Sequence, residues 1–228
     1  MRSRLNDKLL YMRSVPRWPV VLFDFDGTLF NTIDGIVASF IYAWQTVAHR
    51  EVLRAEILPW IGRTLGDVFA EEDAVNAARL EHVYLEHNRA TIAAASKGYD
   101  GISELLQDMT NAGIRTGVVT SKRREMVLAG MQLAAIPAET GLVCAADDTD
   151  RHKPDPTPLL TGLAALDDAP STGSLYVGDA IFDLQAAAAA GMDGIGVTWG
   201  AGNREELCAQ PHVAVVDTVS QLRELLLG

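Results

Sequence analysis

VVLFDFDGTLFNT, residues 20–32, runs an apolar segment into two aspartates set two positions apart and then into a Gly-Thr pair. A short continuous apolar run of this kind reads as a strand buried on both faces of a parallel sheet. Side chains at i and i+2 of an extended segment point to the same side, so Asp24 and Asp26 are expected to face one pocket beyond the strand. Open parallel sheets bind ligands at that carboxyl end. Carboxylates crowded into a partly dry site repel one another, which calls for positive charge among them.

Working outward, runs like Val20–Phe25 recur at Arg115–Thr120, Gly141–Ala145, Ser174–Val177 and Gly194–Thr198, with a last one, His212–Val216, expected at an edge. Helical patterns separate most of them. In GISELLQDMTNAG (101–113), Ile102, Leu105, Leu106 and Met109 follow i, i+3, i+4, i+7 spacing and Gly113 supplies a stop. AIFDLQAAAAAG (180–191) reads as an alanine-rich helix ending at Gly191. The alternation predicts an α/β fold with a doubly wound, Rossmann-like parallel sheet.

Between Ile33 and Ser96 the rhythm breaks, and no strand pattern is present. Ile33, Ile36, Val37, Phe40, Ile41, Trp44 and Val47 share one helical face, and a second helical stretch, Asp73–Ala95, follows the loop PWIGRTLGD (59–67). So long a helical interval is more than one crossover needs, and it predicts an inserted α-helical cap over 33–96. The catalytic core is then 18–32 with 97–228. Residues 1–17, basic and without the apolar centre of a signal peptide, are expected to be a disordered leader, with Met12 an alternative start.

The chain has 228 residues, 48% of them hydrophobic, and a formal net charge of −11. That balance argues against nucleic acid or an anionic membrane surface as the main partner, since both require a basic face. A small anionic substrate stays compatible, because a few local cations outweigh a distant net charge. Cys144 and Cys208 lack metal-type spacing, fit a reducing compartment, and are both expected as buried small apolar residues. No window reaches the length of a membrane span, which points to a cytoplasmic location. Nothing in the pattern specifies an oligomeric state.

Four strand ends bring polar groups to one sheet edge: Asp24 and Asp26; Thr120 and Ser121 in VVTSK (118–122); Lys153 in HKPDP (152–156); and Asp179 and Asp183 in VGDAIFD (177–183). Oxygen ligands without His or Cys suit a hard divalent ion, and Mg2+ is usual where phosphate is also bound. Backbone N–H groups of the Gly27-Thr28 turn are placed to cradle phosphate oxygens. A carboxylate can attack phosphorus and form an aspartyl-phosphate, dividing one difficult displacement into two easier ones.

DFDGTL (24–29), VVTSK, HKPDP and VGDAIFD, in that order with a helical insert after the first, resemble the four motifs of the haloacid dehalogenase superfamily. Within it the chain resembles the phosphoglycolate phosphatase branch, from Val20 to the C-terminus. A single DxD is weak evidence; four ordered motifs are strong. The resemblance implies Asp24 as nucleophile and metal ligand. It implies Asp26 as the acid that protonates the leaving oxygen and then activates water, with its backbone carbonyl on the metal. Thr120 and the Ser121 backbone would hold phosphoryl oxygens, and Lys153 would balance charge on nucleophile and phosphate. Asp179 would complete the metal site, with Asp183 orienting a metal-bound water or the lysine.

Relatives that displace halide do without the second acid, so Asp26 favours phosphoryl transfer. Phosphonate-cleaving relatives use a cap lysine, and no Lys occurs between Ile33 and Ser96. Asn31 stands where the branch often has Asp, and Ser121 where it often has Asn. Arg63, bracketed by Gly62 and Gly66, is expected to meet a substrate carboxylate or second phosphate, with Lys122 a lesser candidate. The implied activity is a Mg2+-dependent phosphatase of a small phosphorylated metabolite, phosphoglycolate first. A phosphomutase of the β-phosphoglucomutase kind or a pyrophosphatase would use the same core. A non-catalytic regulatory module would have lost Asp24, Asp26, Lys153 or Asp179, and all four are present.

Overall fold

The computed structural model describes residues 16–228; Met12 and the expected leader, save Pro16 and Arg17, lie outside the described residues. In chain order, β1 (Val20–Phe23) leads through β2 (Phe30–Asn31) into helices α1 (Ile33–Ala48), α2 (Arg54–Ile57), α3 (Leu65–Glu72) and α4 (Ala77–Ala95), and β3 (Lys97–Gly98) brings the chain back. An alternating series follows: α5 (Ile102–Asn111), β4 (Arg115–Val119), α6 (Arg124–Leu133), β5 (Gly141–Cys144), α7 (Thr157–Ala165) and β6 (Ser174–Gly178). It ends with α8 (Ile181–Ala190), β7 (Asp193–Val197), α9 (Arg204–Cys208), β8 (Ala214–Val216) and α10 (Val219–Leu227).

Six strands form one parallel sheet in the order β5-β4-β1-β6-β7-β8, with β8 at an edge as its sequence position predicts. The chain leaves β1 toward β4 on one side and β6 on the other, which opens a crevice at the carboxyl ends of these three strands. Period-2 alternation splits β1 between two cores. Val21 and Phe23 pack with Leu105 and Met109 of α5 and Leu222 of α10. Val20 and Leu22 pack with Leu159 and Leu163 of α7 and the small Ala186 and Ala187 of α8.

Helices α1 to α4 gather a third hydrophobic cluster of their own around Phe40, Trp44, Trp60, Phe69 and Tyr84. The antiparallel pair β2–β3, Phe30 opposite Gly98 and Asn31 opposite Lys97, forms the stem through which these helices leave and rejoin the sheet. Three local expectations need correction. Ile41 is 36% exposed, because on a 3.6-residue period it lies roughly 100° from the centre of the buried face. The stretch 59–67 is not all loop: Thr64 accepts the Asp67 N–H and caps α3, a helix additional to the expected second one, which as α4 starts at Ala77 and not at Asp73. Its T-x-x-D spacing carried that signal. Cys144 is buried, but Cys208 is exposed, since the short α9 buries only Leu207. Among the described residues no helix is long and apolar enough to cross a membrane.

Candidate active site

Asp24 is the first residue beyond β1, is 3% exposed, and its N–H donates to the Val177 carbonyl of β6 at 2.9 Å. Asp24 and Asp26 both line one cavity, while Phe25 between them is fully buried on the other side and packs its ring 5.7 Å from Phe30. Thr120, just past β4, and Asp179, just past β6, are also buried at this edge. Asp183 arrives on the first turn of α8, and Lys153 from the loop before α7.

These groups form one network. Lys153 Nζ lies 2.6 Å from Asp183 Oδ1 and 3.1 Å from Asp24 Oδ1, and donates to the Tyr176 hydroxyl at 3.1 Å. Tyr176 in turn donates to the Val119 carbonyl at 2.8 Å. Burial opposes a charge on Lys153, but Asp183 and Asp24 outweigh it and hold the ammonium well above its usual range. Tyr176 is a residue that sequence reasoning missed; its one signal is a hydroxyl-bearing ring inside the otherwise aliphatic strand SLYVG.

Asp179 is gripped through both oxygens. Thr28 Oγ1 donates to Oδ1 at 3.0 Å and the Ala201 N–H to Oδ2 at 2.6 Å. A Cβ on Gly27 would stand 2.3 Å from Oδ2, and one on Gly200 2.1 Å from it, so this carboxylate fits only against bare backbone. Neither Ala201 nor Gly200 could be singled out from the sequence, because the one contributes a backbone amide and the other only the absence of a side chain.

Asp24, Asp179 and Asp183 each present an oxygen within 4.8 Å of the others. Burial pushes Asp24 up to about 7, with Lys153 pulling it down and Asp183 and Asp26 adding to the rise. Burial likewise lifts Asp179 well above the usual carboxylate range, reinforced by Asp183 and Asp24. Asp24 Oδ1, despite its nearness to Lys153, has no hydrogen-bond partner. Three clustered buried carboxylates, two of them against one ammonium and one of those with an unbonded oxygen, fit a divalent cation with oxygen ligands.

Asp26 is placed differently. Lys122 Nζ reaches both its oxygens at 3.0 Å and Thr32 Oγ1 donates to Oδ1 at 2.7 Å. Lys122, the lesser candidate of the sequence, thus stands inside the site, and its N–H donates to Thr120 Oγ1 at 3.2 Å. The Ser121 hydroxyl turns to the loop before α3 and donates to the Gly62 carbonyl at 2.8 Å. Gly62, at φ +97, lies against Ala180 and Phe182, where any side chain would collide with the core. Arg63 lines the cavity but pairs with Glu71 at 2.5 Å. Two further ion pairs cross from α4 to the start of α6: Glu81 with Arg123 at 2.6 Å and Arg89 with Glu125 at 3.1 Å. Between sheet edge and helices lies a cavity of about 300 Å³, floored by Asp24, Asp26 and Thr120 and roofed by Trp60, Tyr84 and Asn88.

Comparison with known proteins agrees with this geometry. Residues 21–197 match the family model of the haloacid dehalogenase-like hydrolases. The chain is 32% identical over 206 residues to the pyrophosphatase PpaX of Bacillus mycoides, covering 90% of this chain and 95% of that protein. A solved structure from Bacteroides fragilis, placed among the haloacid dehalogenase-like hydrolases, superposes with a TM-score of 0.83 at 29% identity, over 90% of this chain and 99% of that one. Another, from Lactobacillus plantarum and placed among the phosphoglycolate phosphatases, has a TM-score of 0.77 at 25% identity, over 91% of this chain and 99% of that one.

Proposed function

The chain belongs to the haloacid dehalogenase-like hydrolases and is a phosphatase, and from that premise we propose that it hydrolyses a small phosphorylated metabolite through an aspartyl-phosphate on Asp24, with Mg2+ as cofactor. The observation that carries the reading is the unbonded Oδ1 of Asp24 at the cavity floor, 3.1 Å from Lys153 Nζ.

In this reading residues 18–32 and 97–228 form the core and 33–96 the cap. An Asp24 carboxylate oxygen forms the new bond to phosphorus while the bond to the leaving oxygen breaks. Asp26 gives that oxygen its proton, then takes one from the water that attacks the aspartyl-phosphate, so that inorganic phosphate leaves and both acids return to their starting state. Thr120 and the Ser121 backbone hold phosphoryl oxygens. Lys153, kept cationic by Asp183 and Asp24, balances the charge of nucleophile and phosphate. Asp24, Asp179 and the Asp26 backbone carbonyl would hold Mg2+, with Asp183 beside them. When bound, the ion supplies positive charge to the phosphoryl oxygens. Closure of the cap keeps bulk water from the first displacement.

Phosphoglycolate leads the candidates on the branch that the motifs resemble, and the 32% identity to PpaX over nearly the whole chain supports pyrophosphate beside it. The test is phosphate release from a panel of phosphorylated metabolites, with Mg2+ and with chelator. Metal-dependent release upholds the reading; formation of an isomer without release would replace it by a mutase.

A further inference from the structure

Helix α4 turns a stripe of one face toward the catalytic acids: Glu81, Tyr84, Leu85 and Asn88 follow i, i+3, i+4, i+7 spacing and all line the cavity. Two of them carry unsatisfied hydrogen-bonding groups. The Tyr84 ring is 4% exposed and is fixed by Phe40 and Phe69, whose ring centres lie 4.8 Å and 6.2 Å away. Its hydroxyl makes no hydrogen bond to another described residue, and Tyr84 lines the same cavity as Asp24 and Asp26. Buried tyrosine hydroxyls ordinarily find a partner.

Asn88, one turn further on, is fully buried. Its amide orientation follows from its neighbour. Ser39 Oγ donates to the Gly35 carbonyl at 2.7 Å and also lies 3.1 Å from His87 Nδ1, so its single proton is engaged there and toward Asn88 it accepts, with Asn88 Nδ2 the donor at 3.1 Å. Asn88 Oδ1 is therefore the free atom, a buried acceptor with no donor.

The cations of the cavity wall tell the same story from the other side. Arg63 pairs with Glu71, Lys122 with Asp26 and Arg123 with Glu81. Among the described residues, each lysine or arginine lining the cavity already faces a carboxylate. The roof thus offers one free hydroxyl and one free acceptor, and no uncommitted cation.

We propose that Tyr84 and Asn88 are specificity-determining residues that select an uncharged leaving group bearing a further hydroxyl, the class of phosphorylated polyols and sugars. Tyr84 Oη donates to a leaving-group oxygen, and a leaving-group hydroxyl donates to Asn88 Oδ1. The proposal rests on the phosphatase reading and sets phosphoglycolate and pyrophosphate, the candidates by resemblance, behind the hydroxylated esters, because glycolate and phosphate leaving groups bring a second anion to a roof with no uncommitted cation.

The experiment measures kcat/KM for glycerol 3-phosphate, ribose 5-phosphate, glucose 6-phosphate, propyl phosphate, phosphoglycolate and pyrophosphate in wild type, Tyr84→Phe and Asn88→Leu. The expected result is that a hydroxylated ester leads phosphoglycolate and pyrophosphate and exceeds propyl phosphate by about tenfold or more. Each variant should shrink that hydroxyl preference by about fivefold. A ratio of two substrates does not depend on the fraction of folded enzyme, so a destabilised variant still answers. Release led by phosphoglycolate or pyrophosphate, or a preference unmoved in both variants, overturns this inference and leaves the phosphatase reading standing. No release from any compound overturns both.

Discussion

Lys122 Nζ sits 3.0 Å from both carboxylate oxygens of Asp26, joining the residue after the β4 strand end to the acid after β1. A bidentate contact of this kind orients the carboxylate and offsets its charge beside Asp24. Replacing the ammonium with an apolar stem of similar length removes that constraint and keeps the packing. Lys122→Met should fold normally and lose about tenfold or more in kcat, most with poor leaving groups, because positioned acid–base catalysis contributes roughly 10²–10⁴. A series of aryl phosphates of graded leaving-group acidity checks it; an equal loss across the series would remove Lys122 from the proton-transfer step.

Asp24→Asn should abolish phosphate release while circular dichroism and the thermal midpoint stay at or above wild type. The substitution removes a buried carboxylate whose burial already disfavours its charge. Lys153 keeps Asp183 at 2.6 Å, so its ammonium is not orphaned. Turnover by a purified, metal-loaded Asp24→Asn variant would sink the nucleophile assignment.

Stability of the metal-free protein should depend on pH with a definite sign. Burial raises Asp24 from 3.8 to about 7 in the folded chain, and raises Asp179 as well. Across that window the folded state binds more protons than the unfolded one, so stability falls as pH rises from about 4 to about 7. A divalent cation competes with those protons. The thermal midpoint gained on adding Mg2+ should be small at about pH 5 and grow toward pH 7 to 8. Paired melts with Mg2+ and with chelator measure the gap; one independent of pH would contradict the linkage.

Gly200→Ala tests the grip on Asp179 by steric means alone. The added Cβ would stand 2.1 Å from Asp179 Oδ2, well inside contact distance, and must displace the carboxylate or the 199–202 loop. Apparent Mg2+ affinity should weaken by about tenfold or more, in the range seen when the residues supporting a metal ligand are altered. Mg2+ titration of activity reads it, and an unchanged midpoint would mean that the loop yields without moving Asp179.

Much of this architecture was legible in the chain because strands buried on both faces cannot hide their composition. The runs at 20–25, 115–120, 141–145, 174–177 and 194–198 are uninterrupted by charge beyond their first residue or two until they reach the sheet edge, where Asp24, Thr120 and Asp179 appear together. Periodicity was less informative where a residue lies at the margin of a face, as Ile41 does, or in a short helix with one buried position, as Cys208 does. Helix α3 was hidden by reading two glycines as loop when Thr64 was already placed to cap it.

The sequence by itself determined the order of the sheet's strands along the chain, the helical insert after the first of them, and the identity of the acids and the lysine at the sheet edge, since each is written in local pattern. Only the tertiary structure decided which charges meet. Lys122 finds Asp26 across 96 positions, Thr28 finds Asp179 across 151, and Tyr176 reaches Lys153 from within a strand. It also decided that Asn88 keeps a free acceptor while Arg63, Lys122 and Arg123 are already paired. Periodicity reports which face of one element turns inward. Distances between side chains on different elements follow from how all the elements pack, and burial, which shifts the site's acids, is a property of that packing alone.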